Sequence, residues 1–346
     1  MTATLPDLPG VLTAAEVRVS AEHLASLQLP SGMIPWFPGG HCDPWNHVES
    51  AMALDVAGFH DDAAAAYLWL AETQRPDGSW HNYYRSDGTV EESKLDTNVC
   101  AYVATGVWHH WCCTRDRGFL EKLWPTVDRA IAWVLSLRRP DGLALWAVEA
   151  DGSCPWDYAL LTGTSSIQHA LRCGRALAAV VGARRPHWSR AAARMADTVA
   201  LTPSAFAPKE RWAMDWYYPV LTGALTGEAA KARLADGWAT FVMEGLGVRC
   251  VSDEPWVTAS ETAECSLAHV AIGDVATAAD LLRWTRAHRR ADGSYWTGIV
   301  YTPGAAPVQF PFEEHTSYTA AAVILAADAI AGASPAARLF TPRPIG

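Results

Sequence analysis

The chain has 346 residues, half of them hydrophobic and 18% charged, which is ample for a large core and excludes wholesale disorder. Its net charge of −10, with 27 Lys+Arg against 37 Asp+Glu and no long run of one sign, excludes a nucleic-acid footprint. No apolar stretch reaches the ~20 residues that span a bilayer, the start does not read as a signal peptide, and eight cysteines without Cys-x-x-Cys spacing read as reduced thiols of a cytoplasmic protein, with no disulfide scaffold or zinc site.

Two kinds of helix alternate along the chain. The first kind carries one apolar stripe and is expected at 14–28, 61–74, 118–137, 187–201, 228–244 and 274–289. Four of these end in a related turn: Gln28-Leu-Pro-Ser-Gly32, Gln74-Arg-Pro-Asp-Gly78, Arg138-Arg-Pro-Asp-Gly142 and Arg289-Arg-Ala-Asp-Gly293. Proline and glycine stop the helix there and turn the chain, and a tryptophan follows each time: Trp36, Trp80, Trp146 and Trp296. The second kind opens on an acidic residue or threonine and continues in small and apolar residues, starting near Asp43, Asp96, Asp157, Asp215, Thr258 and Glu314. Helices apolar nearly all round are buried, and striped helices cover them. Six covering helices alternating with six buried ones predict an all-α (α/α)6 toroid, a single domain over 1–332 with a surface coil at 333–346. Short strands are expected only in loops such as 79–90 and 295–302.

In such a ring the buried helices run the same way, so their starts converge on one funnel. A single Asp at a helix start is ordinarily an N-cap. Here the ring adds Glu261, Glu264, Glu313 and Glu314, which cap poorly. Carboxylates crowded into one concavity repel one another, which raises some pKa values and suits acid–base work. Trp36, Trp45, Trp80, Trp146, Trp156, Trp216, Trp256 and Trp296 fall in the same loops and first turns, beside His47, Asn98, Tyr217 and His315. Flat rings next to carboxylates suit a sugar, whose C–H faces stack on indole while its hydroxyls take charge-assisted hydrogen bonds. They also suit a carbocation, held by the ring quadrupole. His109-His110 lies late in a buried helix and reads as core.

Two resemblances carry this further. Gln74-Arg-Pro-Asp-Gly-Ser-Trp80 after a helix resembles the repeat of squalene and terpene cyclases. The chain lacks their Asp-x-Asp-Asp acid motif, their Asp-Asp-x-x-Asp diphosphate motif and the zinc set of protein prenyltransferases. The run from Cys42-Asp-Pro-Trp45 to Gly78, then Asp157-Tyr-Ala-Leu-Leu-Thr-Gly and Tyr295-Trp-Thr-Gly-Ile-Val-Tyr301, is similar to six-hairpin glycosidases. Within these it resembles most an actinobacterial group that includes hydrolases of methylated mannose polysaccharides. The glycosidase resemblance implies an inverting glycoside hydrolase, endo-acting on an α-linked mannoside or glucoside, with two carboxylates roughly 6.5–9.5 Å apart. It implies the acid at Asp157, with Glu149 in reserve, and the base in the loop before the last buried helix, at Glu313 or Glu314, of which Glu314 is preferred. Asp43 with Glu261 is an equal pair on the residues alone, since both open buried helices beside a Pro-Trp. Trp36, Trp45, His47, Trp80, Asp96, Asn98, Asp215, Trp216, Tyr217, Trp256, Glu264, Trp296 and His315 are the expected substrate-binding set. No metal or cofactor is expected, the partner is a carbohydrate, and the oligomeric state is open, a homodimer included. A prenyl-binding cyclase and a non-catalytic glycan-binding toroid are the rival readings.

Overall fold

The computed structural model describes residues 4–341, and its secondary structure is mostly helical. The covering helices are α1 (Ala14–Leu27), α3 (His60–Thr73), α6 (Arg117–Ser136), α8 (Pro186–Leu201), α10 (Gly227–Phe241) and α12 (Val275–Trp284). The buried ones are α2 (Pro44–Val56), the pair α4 (Thr97–Ala101) and α5 (Val103–Thr114), α7 (Leu161–Val181), α9 (Ala213–Leu221), α11 (Ala259–Ala271) and α13 (Ser317–Ala331). Each buried helix packs on the next: α2 on α5, α5 on α7, α7 on α9, α9 on α11, α11 on α13, and α13 back on α2. The covering helices lie outside this closed sequence of contacts, α3 against α2 and α5, α6 against α5 and α7, α8 against α7.

Burial follows the composition. Every residue of α2 except Asn46 is buried, as an all-round apolar helix requires, whereas α8 buries only Trp188, Ala191, Ala192, Met195 and Val199 along one stripe. One core cluster runs from Val11 to Phe340.

The repeated turn has a structural task. Gln28 donates through Nε2 to its own turn at Gly32 O and to Asp62 O on the next covering helix, each at 2.9 Å. Gln74 repeats this with Gly78 O and Thr126 O, again at 2.9 Å. Gly32 and Gly78 have φ of +92° and +99°, and a Cβ on them would meet Ala65 O at 2.3 Å and Arg129 O at 2.5 Å. Glycine is needed both for the left-handed backbone and for this close approach. The motif that resembles the cyclases therefore locks each turn to the next covering helix.

Several boundaries differ from the sequence reading. Helix α7 starts at Leu161, four residues beyond Asp157, and α13 starts at Ser317, three beyond Glu314. Helix α10 ends at Phe241 because β5 (Val242–Met243) begins there. With β6 (Gly247–Arg249), β7 (Trp256–Thr258), β8 (Gly298–Val300) and β9 (Val308–Gln309) it forms an antiparallel sheet in chain order. Strands of two or three residues leave no readable period. The expected loop 295–302 supplies β8 and the expected loop 79–90 supplies β1 (Tyr83–Tyr84), which pairs with β2 (Val90–Glu92), while β3 (Leu95–Asp96) pairs with β4 (Ala147–Val148) outside both loops. The segment after α13 is not a surface coil up to Thr341: Leu339 and Phe340 are buried, and His169 stacks on Phe340 and contacts Leu339 O at 3.1 Å. Residues 342–346 of that expectation lie outside the described residues.

Candidate active site

A cavity of about 400 Å³ opens at the starts of the buried helices, lined from α2, α4, α7, α9, α11 and α13. Five carboxyl groups face it: Asp43, Glu49, Asp96, Glu261 and Glu264, with one cation, Lys94. Trp45, Trp146, Tyr83 and Tyr318 supply aromatic wall, and Asn46, Asn82 and Asn98 supply amides.

Asp43 is placed by its capping role. It precedes Pro44, whose fixed φ and absent N–H suit the first helical position, and its Oδ1 accepts the Asn46 N–H at 3.0 Å. Its Oδ2 accepts from the Trp36 indole at 2.6 Å and the Asn46 amide at 2.7 Å. Burial raises its pKa against these donors. Asp96 caps α4 in the same way, with Oδ1 accepting the N–H groups of Asn98 and Val99 at 2.8 and 3.2 Å. The Trp146 indole donates to its Oδ2 at 2.5 Å, and the β3–β4 pairing brings these two residues together across 50 positions. Burial pushes Asp96 up to about 6.

Glu49 lies on the second turn of α2, at the floor. Its Oε1 accepts from the Trp45 indole at 2.9 Å and the Tyr102 hydroxyl at 3.2 Å. Burial first, then the neighbouring Asp43 and Glu261 charges, push it up to about 7. Glu264 accepts a close hydrogen bond from the Tyr217 hydroxyl, and burial with the Glu49 charge raises it well above the ordinary carboxylate range. Glu261 is half-buried on the first turn of α11, with Oε2 accepting from the Ser260 hydroxyl at 2.7 Å and Oε1 facing the Cys250 thiol at 3.3 Å.

The expected set divides. Asp43, Trp45, Asp96, Asn98, Glu261 and Glu264 line the cavity, and Trp36 and Tyr217 reach it through the carboxylates they hold. Asp157 is exposed on the loop before α7, with no side-chain partner among the described residues, and Glu314 is held by the Thr297 hydroxyl at 3.0 Å. Neither lines the cavity. Asp215 caps a neighbour: α7 begins after Leu160, which cannot cap, and Asp215 Oδ1 accepts the Thr162 hydroxyl at 2.5 Å and N–H at 3.3 Å. His47 is a core histidine, accepting the Ile34 N–H at Nδ1 and meeting Ala66 O at Nε2, and burial pushes it down to about 4. Trp80 donates to Leu70 O and is buried, and Trp216 stacks on Phe241 while donating to Arg233 O. Trp296 packs on His315 and under Arg290, away from the cavity. Trp256 stands on β7, outside the cavity.

Glu49, Asn46, Asn82, Tyr83, Lys94 and Tyr318 were not foreseen from the sequence. The available signal for Glu49 was a carboxylate in the middle of a largely apolar helix, which buries a charge at high cost unless it has work to do. Among the described residues no group of three His, Cys, Asp or Glu side chains is arranged to hold a metal ion, and no helix is long and apolar enough to cross a membrane.

The chain is 50% identical over 336 residues to the MMP endo-(1,4)-3-O-methyl-alpha-D-mannosidase of Mycolicibacterium hassiacum, covering 97% of this chain and 92% of that protein. No protein-family model matches it. Among solved structures, a glycosidase variant in complex with glucose superposes with a TM-score of 0.71 at 14% identity, covering 92% of this chain and 98% of the other. A GH63 mannosylglycerate hydrolase from Thermus thermophilus does so at 0.65 and 13%, covering 90% and 99%. A D-mannose isomerase gives 0.67 at 10%, covering 90% and 97%. The structural likenesses speak for the fold alone, and an isomerase among them illustrates that one fold hosts several sugar reactions.

Proposed function

The chain belongs to the glycoside hydrolase family of that mycobacterial MMP endo-(1,4)-3-O-methyl-alpha-D-mannosidase, and from this premise we propose that it is an endo-acting, inverting hydrolase of an α-(1→4)-linked, 3-O-methylated mannose polysaccharide. The closed contact sequence of six buried helices within six covering ones reads as an (α/α)6 toroid, and the funnel of that toroid is the substrate site.

The single observation that carries the mechanism is that Asp43 and Glu261, from different buried helices, face one cavity. In an inverting reaction one carboxylic acid protonates the glycosidic oxygen as the C1–O bond breaks. The other, ionised, takes a proton from the water that attacks C1 from the opposite face. Asp43 is the acid in this reading, because burial favours its protonated form. Glu261, half-buried and open to water, is the base. Burial favours the protonated forms of Glu49 and Glu264 at the floor, which can then donate hydrogen bonds to sugar hydroxyls. Five carboxyl groups in one cavity suit a polyol better than the apolar walls a carbocation needs.

The test is hydrolysis of an α-(1→4)-linked 3-O-methylmannan by the purified protein, with products sized by mass spectrometry and the first-formed anomer read by NMR. Internal cleavage with initial release of the β-anomer is expected. Release of monosaccharide from one end overturns the endo assignment, and initial α-anomer overturns inversion.

A further inference from the structure

Beyond the cavity, the edge of the five-stranded sheet carries an apolar surface. Val308 on β9 is 56% exposed, and Phe310 and Phe312, just after it, are 52% and 79% exposed. The Phe310 ring meets Trp256 edge-on, with centroids 5.6 Å apart, and Phe310 O accepts the Trp256 indole N–H at 3.0 Å. Gly298 on β8 makes room for that indole, since a Cβ there would sit 2.1 Å from Trp256 Nε1. A folded chain rarely leaves neighbouring large apolar side chains in water without a use for them.

This surface is tied to the site at both ends. Strand β7 runs from Trp256 directly into α11, which carries Glu261 on its first turn. Five extended residues from Phe312 to Ser317 span at most ~17 Å, and Ser317 N–H donates to Trp36 O at 2.6 Å, beside the ring that holds Asp43. Tyr318, the next residue, lines the cavity. Both chain segments that carry the lip thus lead, within about eight residues, to residues that line the cavity, Glu261 on one side and Tyr318 on the other.

Resting on the function proposed above, we propose that Phe310 and Phe312, with Trp256 and Val308, form the subsite that recognises the O-methyl groups of the substrate outside the cleavage cavity. Methylating a hydroxyl removes its donor and leaves an apolar group with a weak ether acceptor. Such an edge gains from contact with aromatic surface and loses little by leaving water. No charged side chain is needed to hold it. Burying each methyl favours binding by about fourfold, so two or three methyls on this lip give a preference of about 10-fold or more over the same chain without methyls.

The test compares kcat/KM on matched α-(1→4)-mannan oligosaccharides with and without 3-O-methyl groups, for the wild type, the double variant F310S/F312S, the conservative F310L/F312L and the distant surface variant L201S. Leu201 is 79% exposed on α8, and thermal melts check folding throughout. The expected result is a preference for the methylated substrate of about 10-fold in the wild type and in L201S. It should collapse towards one in F310S/F312S through a higher KM, and return in F310L/F312L. A serine double variant that keeps the wild-type preference overturns the proposal. So does a wild type that sediments as a dimer dissociated by F310S/F312S with the preference unchanged, which would make the lip an interface between copies. An active wild type without preference overturns this subsite alone. A wild type that cleaves neither oligosaccharide overturns the proposed function and this subsite with it.

Discussion

Trp36 donates its indole N–H to Oδ2 of Asp43 at 2.6 Å, reaching back from seven residues earlier in the chain. The same relation recurs twice in the cavity, Trp45 to Glu49 at 2.9 Å and Trp146 to Asp96 at 2.5 Å. Tryptophans that look like stacking platforms in the sequence thus orient carboxylates. An indole donor fixes one oxygen, and where Asp43 and Asp96 also cap a helix it leaves the carboxylate little rotational freedom. That is the preorganisation that acid–base catalysis on a sugar needs.

The carboxylates that line the cavity should separate cleanly from those that do not. D43N and E261Q should each lower turnover by about 10²-fold or more, the scale of losing a general acid or base, with folding intact by circular dichroism. D157N and E314Q, whose side chains lie off the cavity, should stay within a few-fold of wild type. Steady-state rates on one substrate decide it. Full loss in D157N with full activity in D43N would return the acid to the loop before α7.

The Trp36 hydrogen bond also sets a pH limb. A hydrogen bond to a charged group contributes about 1.5–3 kcal/mol, and 1.36 kcal/mol corresponds to one pKa unit. W36F removes a donor that favours ionised Asp43, so that carboxyl should titrate about one unit higher. With Asp43 as the acid, the alkaline limb of kcat/KM should move to higher pH. Movement of the acidic limb instead would make Asp43 the base.

Much of this was legible beforehand. The alternation of striped and all-round apolar helices fixes their order to within a few residues at nearly every boundary, because burial periodicity is a local property. Which acids face the cavity was not legible. Asp43 and Asp157 look alike, each ahead of a helix and beside a tryptophan, yet α2 begins immediately after Asp43 and α7 only at Leu161. Asp215 has the composition of a site residue and spends its carboxylate capping α7. The Asp96–Trp146 contact depends on the β3–β4 pairing, and a pairing of two-residue strands leaves no trace in the sequence.

The floor of the cavity predicts a stability effect. Glu49 is raised from an ordinary carboxylate value to about 7, so the fold binds its proton more tightly than the unfolded chain does. Its contribution is therefore fully present below about pH 4.5 and is lost as pH rises through about 7. E49Q removes this dependence. Relative to wild type, E49Q should gain of the order of 3 kcal/mol between pH 5 and pH 8 by urea denaturation. A parallel pH dependence of the two proteins would mean that Glu49 is ionised in the fold without penalty.

At the far end of α2, Asp55 is buried and gathers three histidines, with His60 Nδ1 at 2.9 Å, His110 Nδ1 at 2.9 Å and His109 Nδ1 at 3.8 Å. Burial alone would raise the Asp55 carboxyl, but hydrogen bonds from these rings hold it well below the usual carboxylate range. The Asp55 hydrogen bond raises His60 in turn. The two shifts stabilise the fold in complementary windows. The Asp55 contribution is present above its unfolded pKa near 4 and is lost in acid as pH falls below that. The His60 contribution is present below its unfolded pKa near 6.5 and is lost as pH rises through its raised value. Breaking a buried charged pair by removing one partner costs about 3–5 kcal/mol, so D55N should cost about 3 kcal/mol near pH 6. Asp55 is twelve residues along α2 from Asp43, a rise of about 18 Å, so kcat below the lowered melting temperature should match wild type. Denaturation across pH 4 to 8, set beside rates at 20 °C, tests both halves. A D55N protein of wild-type stability would remove the cluster from the stability account, and one that folds but turns over slowly would tie this end of α2 to the chemistry at the other.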